Sequence, residues 1–230
     1  SPVTGTSNTA VSKSISGLSS STTYHYRVKA VSTVGTAYGD DIEFITVSEF
    51  PTVTDFDGNE YHIITIGTQD WLQENLKTTT FNDGTSVLLV NDGTEWSNLT
   101  TPGFCYYDNN AATYKDTYGA LYNWYAVNTG KLCPTGWHVP TDEEWTAMED
   151  YLIANGYNYD GTTIDNKIAK ALAATTNWLT STEGGAVGNT DYPEKRNATG
   201  FTALPGGYRY DYGTFNLVGG CGCWWSATEL

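Results

Sequence analysis

Positive charge is scarce in this chain. Only 11 Lys and Arg stand against 26 Asp and Glu in 230 residues, a net charge of −15. Such a surface repels phosphate backbones, which excludes nucleic acid as a partner. The deficit is uneven. Up to residue 48, Lys13, Arg27 and Lys29 balance Asp40, Asp41 and Glu43, so the whole acidic excess lies beyond that point. Long apolar runs are missing as well. Nothing reaches the roughly 20 residues that a membrane-spanning helix needs, and Ser1 to Ser20 holds no apolar core of the signal-peptide kind.

Histidine is nearly absent, with His25, His62 and His138 alone. No Gly-x-Ser-x-Gly, His-Glu-x-x-His or phosphate-cradling glycine loop occurs, so a histidine triad or a histidine-based zinc site would consume almost the entire supply. His138 is expected to make a structural hydrogen bond. Two carboxylates suffice for glycoside hydrolysis, yet no spacing singles out a pair, and Asp142, Glu143 and Glu144 are explained by charge at a helix start. Asp83 and Asp92 sit in two Asn-Asp-Gly-Thr tetrads without the dense acidic spacing of a calcium loop. Neither a metal nor another cofactor is expected.

What is present is strongest in Pro134-Thr-Gly-Trp-His-Val-Pro-Thr-Asp-Glu-Glu-Trp145. Thr141 stands where an N-cap belongs, and Glu144 three residues on completes a capping box. Trp145, Met148 and Leu152 then recur at helical spacing, with Asn155-Gly156 as the stop. Upstream, Glu60 to Ile66 predicts a strand after an Asp57-Gly58 turn, and Asp70 to Leu76 its partner. Val87 to Val90 reads as a short strand between the two tetrads. Gly119 to Val127 predicts one helix, and Ile164, Ile168 and Leu172 predict another at i, i+4, i+8. From Trp178 to Asn197 a polar stretch has no period, and loops of that length tend to carry function.

Taken with Asn59-Glu-Tyr61, Trp71 to Leu76, Asn82 to Thr85, Tyr118-Gly-Ala-Leu-Tyr-Asn-Trp124, Gly200 to Arg209 and Trp224-Trp-Ser-Ala-Thr228, that landmark resembles the Fibrobacter succinogenes major paralogous domain from about Phe50 onward. The resemblance implies an extracellular or cell-surface module of Bacteroidetes-type bacteria. The helix landmark is also similar to that of formylglycine-generating-type domains, which implies by analogy an α+β, C-type lectin-like fold with about three helices and short antiparallel strands. Domains of the resembled family usually run on past the Trp-Trp-Ser segment, so residues 49–230 are expected to lack their last strands. Residues 1–48 resemble the late strands of a fibronectin type III β-sandwich. Leu18 to Tyr24 has the spacing of its tyrosine corner, with Ser20 where proline often stands, and Tyr24, Tyr26, Val28 and Ala30 alternate. The early strands of that domain are expected upstream of Ser1.

Cysteine and aromatics complete the reading. In an oxidising compartment Cys105 and Cys133, which flank the predicted first helix, are the preferred disulfide. Cys221-Gly-Cys223 can form only a strained ring, bind a soft metal or stay reduced. Formylglycine-generating enzymes use a cysteine pair, which makes an oxidase the sharp catalytic alternative. Their Arg-Gly-Gly-Ser-Trp-type segment is lacking here, and Pro205 to Arg209 is only superficially similar. Eight Trp and 17 Tyr exceed the needs of one core, and aromatic faces stack on sugars and other ligands. Trp178, Tyr192, Tyr208, Tyr210 and Tyr212 are the candidate ligand-binding residues. Arg209 joins them as a carboxylate grip, or serves a structural role. The expected function is non-catalytic binding or adhesion to a surface glycan or protein. The competing expectation is a structural partner of outer-membrane or type 9 secretion proteins.

Overall fold

A computed structural model of the chain describes residues 15, 18, 19, 22–46 and 51–229, and these fall into two units, Ser1–Phe50 and Pro51–Leu230. Ser20 and the boundary expected between 48 and 49 lie outside the described residues. In the first unit β1 (Thr23–Tyr26) pairs antiparallel with β4 (Ile42–Ile45), placing Tyr24 opposite Phe44, and β2 (Lys29–Ser32) and β3 (Gly35–Tyr38) form a hairpin. Tyr24 and Phe44 stack at 5.8 Å, and the Tyr24 hydroxyl accepts the Ser19 N–H at 2.9 Å. Tyr26, Val31, Ile42 and Ile45 remain exposed.

The second unit mixes helices with small, mainly antiparallel sheets. One sheet is β5 (Thr52–Thr54), β6 (Glu60–Ile66) and β7 (Gln69–Leu72) in that order; another is β10 (Leu121–Tyr122), β9 (Gly103–Cys105) and β8 (Leu88–Leu89), with β8 parallel to β9; β11 (Tyr208–Arg209) and β12 (Phe215–Asn216) pair separately. Among the described residues no sheet closes into a barrel. The Asp57-Gly58 turn is fixed by Asp55, whose carboxylate accepts the Asn59 N–H at 2.8 Å and the buried Tyr61 hydroxyl at 2.7 Å. Burial pushes the Tyr61 phenol well above its ordinary range.

Among the described residues five α-helices appear in place of about three: α1 (Gly93–Asn98), α2 (Ala111–Tyr118), α3 (Trp124–Val127), α4 (Asp142–Ala154) and α5 (Ala169–Leu172). The longest, α4, starts where the sequence predicts, with both halves of its capping box made between Thr141 and Glu144. Its buried Met148 and Leu152 meet Ile64, Ile66, Trp71 and Phe201 in the main core. Because that cap satisfies two otherwise orphaned donors, Thr141→Ala is expected to cost about 1 kcal/mol, measured by urea denaturation, with Thr141→Ser near wild type.

Two predicted helices are corrected. Gly119 does not begin a helix but ends α2 at φ 73°, ψ −153°, and a Cβ there would lie 2.4 Å from the Leu76 carbonyl oxygen. The Ala120 N–H then donates to Leu76 O at 2.8 Å, drawing the chain into β10 before Asn123 caps the short α3. The helix expected from Ile164 starts only after Ile168, since Asn158, fully buried, holds the preceding loop. Its amide nitrogen donates to the carbonyls of Thr162, Ile164 and Asp165 at 2.8–3.1 Å, and its oxygen accepts the Lys167 N–H at 2.9 Å. Ile164 is consequently exposed.

Candidate functional site

A cavity of about 570 Å³ opens in the second unit, walled by Trp71, Trp145, Phe201, Tyr118, Trp224 and Trp225. These rings come from five separate stretches of chain. The β7 strand and α4 bring Trp71 and Trp145 to a centroid separation of 4.8 Å, and Phe201 meets Trp71 edge-on at 5.9 Å. The Trp224 ring meets Phe201 edge-on at 6.4 Å, its indole donates to Asn75 Oδ1 at 3.0 Å, and the Trp225 indole donates to Tyr122 O at 2.9 Å. Residues 224–225 are not in a strand, and both remain exposed. The buried Trp71 indole N–H has no hydrogen-bond partner. Leaving such a donor unsatisfied is costly, so a ligand acceptor would gain from reaching it.

Tyr208 carries this wall out to solvent. Tyr208 lies in β11, and the turn that follows it brings the rings of Tyr210 and Tyr212 alongside. Tyr208 and Tyr210 meet edge-to-face at 4.8 Å with hydroxyls 2.8 Å apart, and Tyr210 stacks on the exposed Tyr212 at 4.6 Å. The hydrogen bond to Tyr210 comes first in pushing the Tyr208 phenol up to about 12. Arg209 points elsewhere. Its guanidinium donates to the carbonyls of Gly213, Val90 and Asn91 at 2.7–2.9 Å and lies over the rings of Trp96 and Phe215 at 4.6 and 4.7 Å. Those contacts fill the structural role and leave little of the side chain for a ligand carboxylate.

The other two candidates lie apart from the ladder. Trp178 donates its indole N–H to Ala203 O at 3.1 Å, and Tyr192, at φ 46°, packs on Tyr159 at 5.2 Å. Trp71, Trp145, Trp224 and Trp225 are not among the candidates named from the sequence; the abundance of tryptophan is the available signal for the cavity.

The preferred Cys105–Cys133 bond is not present: both are free, buried thiols. Strand alternation separates them. Cys105 packs with Val90 and Trp96, while the adjacent Phe104 and its partner Tyr122 face the other cluster, where Cys133 neighbours Tyr122. Burial pushes Cys105 up to about 11 and Cys133 up to about 12 and keeps both sulfurs from reagents in solution.

Each histidine sits beside a carboxylate: His25 Nδ1 is 2.9 Å from Asp41, His62 Nδ1 2.6 Å from Glu74 and His138 Nε2 2.9 Å from Glu144. Glu144 is already engaged in the helix cap, and the Thr141 N–H does most to hold its carboxyl below the usual range. Asp83 takes up Lys131 at 2.7 Å, and Asp92 caps α1. Among the described residues no three His, Cys, Asp or Glu side chains gather as a metal site, and no helix is long and apolar enough to cross a membrane.

Residues 64–230 match the family model of the Fibrobacter succinogenes major domain. The match spans well over half of the chain, and the chain belongs to that family. Neither the curated proteins nor the solved structures compared with it give a match.

Proposed function

From that membership and the aromatic cavity together, we propose that the chain is a non-catalytic binding module of the bacterial cell surface or extracellular space, with a surface glycan as its ligand. The observation that carries the reading is the continuous aromatic track from the cavity wall through Tyr208 and Tyr210 to the exposed Tyr212. Apolar faces of sugar rings stack on such rings, and the Tyr hydroxyls provide polar contacts at little entropic cost. Cavities of roughly 300–1,000 Å³ with mostly apolar walls and a few polar groups are the usual form of a small-ligand site. Here Gln73, Asn75 and His138 provide those groups. In this reading the second unit is a C-type lectin-like domain, supported by its capped helix packed on a short antiparallel sheet. The first is the end of a fibronectin type III sandwich, supported by the Tyr24–Ser19 hydrogen bond.

Glycan-array binding tests the proposal. Tyr212→Ala, exposed and free of core packing, is expected to weaken binding about tenfold while the fold is retained, as loss of one aromatic contact of about 1.4 kcal/mol would. Binding should persist in a chelator. Retention of an outer-membrane or type 9 secretion protein with no glycan bound would favour the assembly role instead. Oxygen consumption with a cysteine-containing peptide, abolished by Cys221→Ser, would overturn the non-catalytic reading in favour of the oxidase.

A further inference from the structure

Cys221 and Cys223 lie on the strap that leads to Trp224 and Trp225. Their sulfurs are 3.1 Å apart, inside ordinary non-bonded contact and about 1 Å beyond the ~2.05 Å of a disulfide. The backbone enforces this approach. Cys221 donates its N–H to Leu217 O and accepts the Gly207 N–H, each at 2.9 Å, and Gly222 bridges Gly207. A Cβ at Gly222 would stand 2.2 Å from the Trp224 ring and 2.9 Å from Leu204 O, so a larger residue there would displace that ring. Cys221 is half-buried and Cys223 exposed, unlike the buried Cys105 and Cys133.

We propose that Cys221 and Cys223 are a reversible dithiol–disulfide site, oxidised by small-molecule disulfides and reduced again by thiols. In the first step one cysteine thiolate attacks a disulfide RS–SR, forming a mixed disulfide and expelling RS⁻. The second cysteine thiolate then attacks the cysteine sulfur of that adduct, forming the Cys221–Cys223 bond and expelling another RS⁻. The two protons lost by the cysteines end on the two RS⁻ leaving groups, so one RS–SR becomes two RSH. Closing so short a loop removes little chain entropy and strains the ring, and strained, exposed disulfides are the readily reduced ones. The site therefore cycles with its surroundings and is not a permanent staple. Chelation of a soft metal is disfavoured because no third ligand joins the pair among the described residues. Partial desolvation of its sulfur, followed by the neighbouring Cys221, pushes the Cys223 thiol up to about 12 although the residue is exposed overall. Exchange should accordingly quicken as pH rises above neutrality.

The test exposes the folded chain to oxidised glutathione, quenches it in acid, then unfolds, alkylates and maps peptides by mass. Of the four cysteines, all are expected to take label before oxidation. Only Cys105 and Cys133 should do so afterwards, with all four recovered on adding reduced glutathione. Single variants Cys221→Ser and Cys223→Ser are expected to keep glutathione as a lasting adduct that the wild type sheds. Four labels after oxidation, a lasting adduct on the wild type, or loss of label only through chain-to-chain dimers would each overturn the proposal. The wild-type map decides without the variants.

Discussion

Lys170→Ala is expected to lower the free energy of unfolding by about 3–5 kcal/mol, the cost of removing one partner from a buried charged network. The Lys170 side chain is completely buried, and its ammonium donates to Asn189 O at 2.8 Å, Asp191 O at 2.9 Å and Asp191 Oδ1 at 2.5 Å. Three donors meet three acceptors, so the burial is fully compensated. Alanine would strip the partner from all three acceptors, of which water can still reach the Asp191 carboxylate, 28% exposed, and would open the space filled by the lysine stem. The network continues outward. The second Asp191 oxygen accepts the Gly185 N–H at 2.7 Å, and Asn189 binds Glu183 O at 2.9 Å. Loss of Lys170 should therefore free the 183–191 loop first, visible as early proteolysis or hydrogen exchange there. Lys170→Met separates the contributions, since it restores the stem but not the charge. If it is as stable as wild type, the network contributes nothing and packing alone is responsible.

Acid dependence follows from the same pair. Lys170 first, then the Gly185 N–H, holds the Asp191 carboxyl below the ordinary carboxylate range. A folded pKa depressed in this way contributes stability above the unfolded value of about 4, lost as pH falls toward the folded one. Stability of the wild type should decline below about pH 4 more steeply than that of Lys170→Met.

None of this was legible in the sequence, and the reason is chain distance. Lys170 meets its acceptors 19 and 21 residues further on, in a polar stretch without period, so no local pattern links them. The same holds for Asn158, whose amide organises a loop that the i, i+4, i+8 spacing of Ile164, Ile168 and Leu172 reads as helix. Gly119 misled for a related cause: it ends one helix where it looked like the start of another. What the sequence did reveal is local. The Thr141–Glu144 cap and β6 between its turn and β7 each depend on neighbours within a few residues. Arg209, in β11, sits between Trp96 and Phe215, and this becomes visible only once β8 and the β11–β12 pair are placed together. The cavity is the extreme case, since its tryptophans are spread from residue 71 to residue 225.

Trp145→Ala should show how much that gathering of rings is worth. The side chain is only half-buried, so the expected loss is about 3 kcal/mol, the low end for truncating a core tryptophan. Its ring packs 4.8 Å from Trp71 and 6.4 Å from Phe201, and its indole donates to Trp225 O at 3.3 Å. Two further bonds tie the same helix start to the chain end, Ala227 N–H to Pro140 O at 2.8 Å and Asp142 N–H to Thr228 Oγ1 at 3.0 Å. Truncation therefore removes core packing and one of the three bonds between the start of α4 and the strap that carries Trp224 and Trp225. Trp145→Phe keeps a ring and loses only the tether, so it should cost about 1 kcal/mol beyond the area change. Urea melts of both variants separate the two effects. If Trp145→Ala melts like the parent, the ring is dispensable to the core and the cavity wall cannot be what holds α4 against β7. If instead both variants lose stability equally, the hydrogen bond to the strap outweighs the stacking on Trp71, and the strap is the element that keeps the cavity closed.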